Sequence, residues 1–301
     1  MAIAPREQNN LAGIALMVGA IFVFSLNDTL GKWLAASYSA PQIMLFRSIA
    51  AAVLLAPVVR RMGWRSFIHV ERPWLQALRV VMAAGETTLF YWAVSKLPLA
   101  DAMTYYLAGP IYVTIMAAVF LGERVGWRRW LAVLVGFVGV IIALGPSASS
   151  FGAPALIAFA GSIIYSLYLV VTRVLRRTHD TVMAAWQVAG GLIMGVVGSP
   201  FAWRTPTSWT EGVLLCVLGL GALVATIGVN RSLALAPASV VVPYQYTMIV
   251  WGVIFGYFVF SNTPSLQTVI GAAIIILAGL FIFFREQKAG VPANAEVPPD
   301  R

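Results

Sequence analysis

Apolar residues fall into ten long runs separated by short polar stretches. Each run is 18–24 residues long, and about 20 apolar residues in a helix are enough to cross the hydrocarbon core of a membrane. The runs lack the alternation of a barrel strand. The pattern predicts an all-α integral membrane protein with ten transmembrane helices, over residues 11–34, 41–59, 74–94, 99–121, 127–144, 153–174, 181–201, 212–235, 238–260 and 266–284.

Composition agrees with this pattern and excludes a soluble domain. Hydrophobic residues make up 60% of the chain and charged residues 10%, and the mean hydropathy is +0.86. Soluble domains carry about a quarter charged residues. Ten spans use roughly 200 residues, which leaves only short loops and no room for a soluble catalytic domain.

The lysines and arginines predict the orientation. If the amino terminus lies inside, fifteen of the 20 basic residues fall on the cytoplasmic side and three on the other. Cytoplasmic loops of membrane proteins carry such an excess. Both termini are therefore predicted to be cytoplasmic, in the inner membrane. The net charge of +9 is explained by these loops, and we expect no binding to nucleic acid.

Few residues offer chemistry that an enzyme or a metal site would need. The one cysteine, Cys216, lies in an apolar run, and His69 and His179 lie in loops. The chain has no Gly-x-Ser-x-Gly or His-Glu-x-x-His motif and no nucleotide-binding loop. We expect no bound metal, no cofactor, no enzymatic activity and no use of ATP to drive transport.

Weak internal similarity divides the chain into two halves. Phe24-Ser25-Leu26 matches Tyr165-Ser166-Leu167 at an offset of 141, and Pro98 matches Pro237 at an offset of 139. Five helices in each half would make the second half enter the membrane from the opposite side, which is a recurrent plan of secondary transporters. The predicted division is a first five-helix repeat over 1–144, a linker over 145–152, an inverted second repeat over 153–284 and a disordered cytoplasmic tail over 285–301. One chain holds both repeats, so a monomer could function.

Glu86 is the acidic residue that the runs place near the middle of the membrane. It lies about 12 residues into the third run, or roughly 18 Å at 1.5 Å per residue, within a core about 30 Å thick. Charges at that depth are costly and mark functional sites. Because desolvation favours the neutral carboxyl, Glu86 could exchange a proton or pair with a substrate ammonium. The alternative is a protonated side chain that only packs against a neighbouring helix.

Four further charges inside the predicted helices are candidates for gating or ion pairing. Asp28 and Lys32 are four residues apart and can pair on one helix face, and Arg47 lies at a similar depth. We expect an outer ion-pair network that closes one gate, with direct substrate contact as the alternative. Arg79 lies toward the inner side, where it could close an inner gate, attract a carboxylate or extend to the surface.

Aromatic and amide side chains are candidates for a substrate cavity. The aromatic candidates are Tyr105, Tyr168, Trp186 and Tyr246, whose rings could surround apolar groups or an ammonium. Simple packing is the alternative for each ring. The candidate amides, Gln187 and Gln245, are expected to face inward because lipid exposure is unfavourable for them.

Two prolines interrupt predicted helices. Pro110 lies in the fourth run and Pro243 in the ninth. A proline inside a helix frees a carbonyl group and bends the helix, so each is a candidate hinge or an ordinary kink. The glycine- and alanine-rich helices 5 and 10 should permit close helix contact.

Three segments resemble one transporter family. They are residues 40–49 (APQIMLFRSI), 85–102 (GETTLFYWAVSKLPLADA) and 110–124 (PIYVTIMAAVFLGER). They are similar to the drug/metabolite transporter superfamily, in its ten-helix EamA-type exporter group, with YddG-like exporters of aromatic and other amino acids as the most similar subgroup. The resemblance implies a cavity lined by helices 1–4 and 6–9, with helices 5 and 10 as a peripheral scaffold.

The sequence therefore predicts a secondary transporter that exports small amphipathic metabolites by alternating access. Aromatic and other apolar amino acids are the expected substrates. A nucleotide-sugar or sugar-phosphate exchanger and a passive metabolite facilitator remain as alternatives.

Overall fold

The computed structural model describes residues 9–35, 37–63, 65–68, 70–94, 104–123, 125–145, 152–206, 208–260 and 265–289. Within these ranges the chain is all-helical, without a strand. The long helices are α1 (Asn10–Ala35), α2 (Ala40–Met62), α3 (Pro73–Val94), α4 (Gly109–Phe120), α5 (Trp127–Leu144), α6 (Ala153–Val174), α7 (Asp180–Gly198), α8 (Trp209–Leu235), α9 (Thr247–Phe260) and α10 (Leu266–Ala289).

Apolar helices of membrane length dominate this structure. Seven segments of the described ranges are long and apolar enough to cross a membrane, and two shorter apolar helices cover Thr104–Phe120 and Leu266–Phe281. The predicted all-helical architecture is thus confirmed. The number of ten spans stays a prediction.

Prolines explain where the helices depart from the predicted runs. The run over 238–260 is not one helix, because a turn over Ala238–Val241 and a 3-10 segment over Val242–Tyr246 precede α9. Pro243 lies in the 3-10 segment, where it has no N–H to continue the ladder. Pro110 lies in the first turn of α4, just after a break at Ala108. Their role as hinges stays a prediction.

The helix ends give one histidine a structural role and include part of the predicted tail. His179 caps α7, with its Nδ1 accepting a hydrogen bond from the Thr181 N–H at 3.2 Å. α10 continues to Ala289, so the first five residues of the predicted tail are helical. The rest of that tail and most of the predicted linker lie outside the described ranges.

Packing joins the two halves of the chain. The most extensive contacts are α1 with α8, α5 with α10, α2 with α7, and α3 with α6. The predicted repeats would pair α1 with α6, α3 with α8, and α4 with α9. Under that pairing the α1–α8 contact corresponds to α3–α6, and the α1–α9 contact corresponds to α4–α6. Both members of each pair are present, while the division into repeats itself stays a prediction.

α5 and α10 pack closely through glycine. A Cβ atom added at Gly139 would lie 2.9 Å from the Gly271 carbonyl oxygen. A Cβ atom added at Gly271 would lie 2.5 Å from both the Gly139 carbonyl oxygen and the Ala143 backbone nitrogen. Any larger residue would force the two backbones apart, so these glycines set the close contact that the small-residue pattern predicts.

Candidate functional site

A cleft between four helices forms the candidate site. It holds about 570 Å³ of space outside the protein atoms, including the part open to the outside, and it is lined by α2, α3, α7 and α8. Small and apolar side chains make up most of the lining. The polar members are Arg47, Ser48, Thr87, Gln187 and Thr226. Such a lining suits an apolar ligand held by a few polar groups.

Charged side chains from three helices interact electrostatically near this cleft, which Arg47 lines. Glu86 on α3 interacts electrostatically with Arg47 on α2 and Asp28 on α1, and Asp28 also interacts with Arg47. The Asp28 side chain is exposed although its charge acts on groups from other helices. We call Asp28, Arg47 and Glu86 the carboxylate cluster.

Glu86 also makes short-range contacts. Its Oε1 atom accepts a hydrogen bond from the Thr87 hydroxyl at 2.8 Å. Its backbone carbonyl oxygen accepts one from the Tyr106 hydroxyl at 3.2 Å. These bonds leave carboxylate lone pairs that a ligand could use.

Two tyrosines that sequence reasoning did not select stand next to the carboxylate cluster. Tyr165 on α6 interacts electrostatically with Glu86 and Asp28. Its ring lies 6.2 Å from that of Tyr106 and stacks on that of Tyr168, also at 6.2 Å. The Tyr165 hydroxyl accepts a hydrogen bond from Gln245 Nε2 at 2.8 Å. The sequence could have indicated Tyr165 by its spacing, because it precedes the selected Tyr168 by about one helical turn.

Arg79 is the centre of a second polar group. Its side chain is wholly buried, so it does not extend to the surface. Nε donates to the Thr172 hydroxyl at 2.7 Å, and Nη1 donates to the Met183 carbonyl oxygen at 3.2 Å. Nη2 donates to Tyr168, Gln187 and Asn230 at 3.0, 3.2 and 2.8 Å. We call Arg79, Tyr168, Thr172, Gln187 and Asn230 the Arg79 network.

This network connects the two halves of the chain. Arg79 comes from α3, whereas its partners come from α6, α7 and α8. The Tyr168 hydroxyl also donates to Gln187 at 3.0 Å, and the Arg79 guanidinium carbon lies 4.8 Å above the Tyr168 ring. Such a network can hold one end of the cleft closed. Arg79, Tyr168 and Gln187 were selected from the sequence, whereas Thr172 and Asn230 were not.

A third polar group lies where α4, α6 and the α8–α9 connection meet. The Glu123 carboxylate accepts hydrogen bonds from the Ala238 and Ser239 N–H groups, each at 3.1 Å, and from the Ser239 hydroxyl at 2.6 Å. Arg173 Nε lies 3.8 Å from Glu123 Oε1, and Arg129 donates to the Ser239 hydroxyl at 3.0 Å. We call these residues the Glu123 cluster. Sequence reasoning missed it because Glu123 follows the fourth run.

The remaining selected residues lie apart from the cleft. Tyr246 is buried near α5, and its hydroxyl donates to the Val133 carbonyl oxygen at 3.4 Å. Tyr105 packs edge-on against Phe159 with ring centroids 6.4 Å apart. Trp186 donates to the Phe67 carbonyl oxygen at 3.0 Å. The Lys32 side chain lies outside the described part of the structure.

Among the side chains that the structure describes, no group of three His, Cys, Asp or Glu residues could hold a metal ion. The polar groups of the site are instead suited to binding charged parts of a small molecule.

Comparison with known proteins identifies the family. The model of the EamA-like transporter family matches the chain in two stretches, residues 11–145 and 153–284. The S-adenosylmethionine uptake transporter of Rickettsia bellii is 28% identical over 92% of this chain and 95% of its own length. The riboflavin transporter of Vibrio cholerae is 26% identical over 94% and 96%. The pseudopaline exporter CntI of Pseudomonas aeruginosa is 27% identical over 89% and 94%.

A solved crystal structure shares the fold. It superposes with a TM-score of 0.79 at 19% identity and covers 93% of this chain and 99% of its own. At that identity the likeness concerns the fold alone. The family match, in contrast, spans most of the sequence, and relatives with transporter names match nearly end to end. The chain therefore belongs to the EamA-like transporter family and is a multi-pass membrane transporter, not an enzyme.

Proposed function

We propose that this protein is a secondary transporter that exports small amphipathic metabolites, with aromatic and other apolar amino acids as its substrates. The observation that carries the proposal is the carboxylate cluster beside an apolar cleft. A zwitterion needs an anion for its ammonium and a cation for its carboxylate. Glu86 and Asp28 offer the anions, and Arg47 offers the cation.

Ammonium recognition is the step that Glu86 and Asp28 would perform. A charge removed from water is stable only when it is paired and hydrogen-bonded. Two carboxylates that lie near each other can replace the water around an ammonium. The Tyr165 ring next to them can add attraction to a cation. Glu86 can alternatively take up a proton when the substrate leaves, which would couple transport to a proton gradient.

Side-chain recognition would use the cleft itself. Met44, Val80 and Leu223 line it together with several alanines. Burial of apolar surface contributes about 25 cal/mol per Å², so an aromatic or branched side chain gains more than a polar one. Gly191 and Gly219 belong to the same lining and let α7 and α8 pack closely on α2, because a Cβ atom at either position would clash with Ser48 or with the Arg47 backbone.

Alternating access would use the contacts between the halves. We propose that the Arg79 network closes the cytoplasmic side while the carboxylate cluster faces outward. The basic loops support this orientation, with both termini cytoplasmic and the protein in the inner membrane. The paired helix contacts and the two separate stretches of the family match support an inverted repeat.

The names of the relatives favour a second candidate substrate class. They name S-adenosylmethionine, riboflavin and pseudopaline. S-adenosylmethionine itself contains an amino-acid group, and its sulfonium adds a second positive charge. Two carboxylates in the cluster against one arginine favour such a cationic substrate. Larger metabolites with an amino-acid group are therefore the alternative to simple amino acids.

Uptake into liposomes that contain the purified full-length protein tests the proposal. Labelled tryptophan, phenylalanine, methionine and threonine are compared with S-adenosylmethionine, riboflavin and a nucleotide sugar, with and without a pH gradient. We expect saturable entry of the aromatic amino acids and counterflow, which a passive channel does not give. Entry of only the nucleotide sugar would overturn the proposal.

A matched pair of variants sharpens this experiment. Glu86→Gln keeps the shape and removes the charge, and we expect it to weaken amino-acid binding about ten-fold, or about 1.4 kcal/mol. Glu71→Gln makes the same change at an exposed position outside the long helices and should leave binding unchanged. Equal effects of the two substitutions would argue against a role for Glu86 in binding.

A further inference from the structure

Arg79 is a buried cation whose hydrogen-bond partners are all neutral. They are hydroxyl, amide and backbone carbonyl oxygens. Ion pairs join Arg173 to Glu123 and Arg231 to Asp180, and Arg79 takes part in neither of them. Burial of an unpaired charge is costly, so an anion that reached Arg79 would be strongly stabilised there.

Asn230 gives a second, independent indication that a hydrogen-bond acceptor is missing beside Arg79. The residue is wholly buried in α8, and its Oδ1 atom accepts from Arg79 Nη2 at 2.8 Å. Its Nδ2 atom has no hydrogen-bond partner among the residues that the structure describes. Buried amide donors are nearly always paired. A guanidinium and a free amide donor side by side match the two oxygens of a carboxylate.

A second buried amide, on α3, also lacks hydrogen-bond partners in the described ranges. Gln76 is buried, and both polar atoms of its side chain lack a partner within the described ranges. It lies three residues before Arg79, which places the two on the same face of α3. Buried polar groups without hydrogen-bond partners in the described ranges therefore occur on α3 itself, next to Arg79, as well as on α8.

We propose that Arg79 and Asn230 form an anion subsite that takes the carboxylate group of the transported substrate. The subsite deepens the proposed function and rests on it. Gln187 gives the route, because it lines the cleft and its Oε1 accepts from both Arg79 and Tyr168. A substrate carboxylate replaces the Gln187 oxygen on Arg79 Nη2, and from there the cleft is open to it.

The subsite is distinct from the carboxylate cluster. Arg79 and Glu86 are seven residues apart on α3, or about 10.5 Å along the axis. The ammonium and carboxylate of an α-amino acid are separated by one carbon atom. During export a single amino acid therefore occupies the two places in succession, first at Arg79 and then at Arg47 and Glu86.

Arrival at the subsite loosens the contact between the halves. Arg79 Nη2 is bonded to Gln187 on α7 and Asn230 on α8. A carboxylate that takes these positions removes the Nη2 bonds from α3 to both helices and leaves only the bond from Nη1 to the Met183 carbonyl oxygen on α7. A substrate that arrives from the cytoplasm thus weakens the contacts that close that side of the cleft.

Asn230→Asp tests the subsite because it places a carboxylate on Arg79 without changing the shape of the side chain. Binding to the purified full-length protein is measured by thermal stabilisation with two ligands. Indole-3-propionate carries a carboxylate and no ammonium, and tryptamine carries an ammonium and no carboxylate. We expect Asn230→Asp to weaken indole-3-propionate binding at least ten-fold and to change tryptamine binding less than two-fold.

Arg79→Lys is the second variant, in case Asn230→Asp does not fold. It keeps the charge and removes the planar fork that binds a carboxylate, so the same selective loss is expected. No binding of indole-3-propionate to the unsubstituted protein, or an equal loss of both ligands in the variants, would overturn the subsite. Selective loss in a protein that transports no amino acid would keep the subsite and reject the proposed function.

Discussion

Two buried arginines in this protein have opposite surroundings. Arg79 is wholly buried, and Arg173 is 5% exposed. Arg173 has the Glu123 carboxylate at 3.8 Å and donates to the Leu233 and Ala234 carbonyl oxygens at 2.7 and 3.3 Å. Arg79 has five neutral acceptors and no ion pair in the described ranges.

The difference indicates that the contacts of Arg173 are fixed and that those of Arg79 can be exchanged. A buried charge with a permanent counter-ion resists displacement, because either partner alone would be left unpaired. A buried charge held only by neutral acceptors can exchange them for an anion at little cost. Arg173 is thus suited to holding helix ends together, and Arg79 is suited to meeting a substrate.

The largest expected effect comes from Glu123→Ala. The substitution removes the counter-ion of Arg173 and the acceptor of the Ala238 and Ser239 N–H groups. Charge-assisted hydrogen bonds contribute about 1.5–3 kcal/mol each, and a helix cap typically about 1 kcal/mol. We expect unfolding in detergent to become easier by about 3 kcal/mol, measured by thermal or denaturant unfolding.

Glu123→Gln is the control for that measurement. Glutamine can still accept a hydrogen bond from the Ser239 N–H but carries no charge. We expect it to cost about 1 kcal/mol, in line with an ordinary hydrogen bond. Equal costs for Glu123→Gln and Glu123→Ala would mean that charge contributes little to the Glu123 cluster and would break the comparison on the Arg173 side.

The next effect compares the arginines directly. Arg173→Gln leaves the Glu123 carboxylate without its cation, and we expect a loss of about 2 kcal/mol in unfolding free energy. Arg79→Gln leaves no carboxylate unpaired, so its unfolding free energy should stay within about 1 kcal/mol. The transport rate per folded molecule should fall at least ten-fold in Arg79→Gln. A stability loss in Arg79→Gln as large as that in Arg173→Gln would remove the distinction.

Much of the fold could be predicted because the length of an apolar run indicates where a membrane helix begins and ends. The predicted runs over 127–144 and 153–174 have the same bounds as α5 and α6. The prediction over 238–260 was wrong as a single helix, since Pro243 diverts the backbone into a 3-10 segment. Hydrophobicity gives the length of a run but not the hydrogen-bond pattern inside it.

The site could be predicted only for residues whose chemistry is conspicuous in a membrane. A buried charge is costly, so Arg79 and Glu86 were selected from position alone. Asn230 and Thr172 are ordinary polar residues in apolar helices, and their importance comes from a partner on another helix. Tyr246 was selected for its depth, yet the structure packs it near α5. Depth in a run does not say which face of a helix a residue occupies.

The smallest expected effect tests whether charge, and not packing alone, controls transport. Gly271→Ala brings a Cβ atom to 2.5 Å from the Gly139 carbonyl oxygen, so α5 and α10 must separate, at a cost of about 1–2 kcal/mol. Gly19→Ala meets nothing within 4 Å and should be neutral or stabilise by up to about 1 kcal/mol. Since neither position contacts the cleft, counterflow per folded molecule should stay within two-fold of the unsubstituted protein in both. If Gly271→Ala slowed counterflow as much as Arg79→Gln, loss of packing would explain both results, and Arg79 would need no anion to account for its effect.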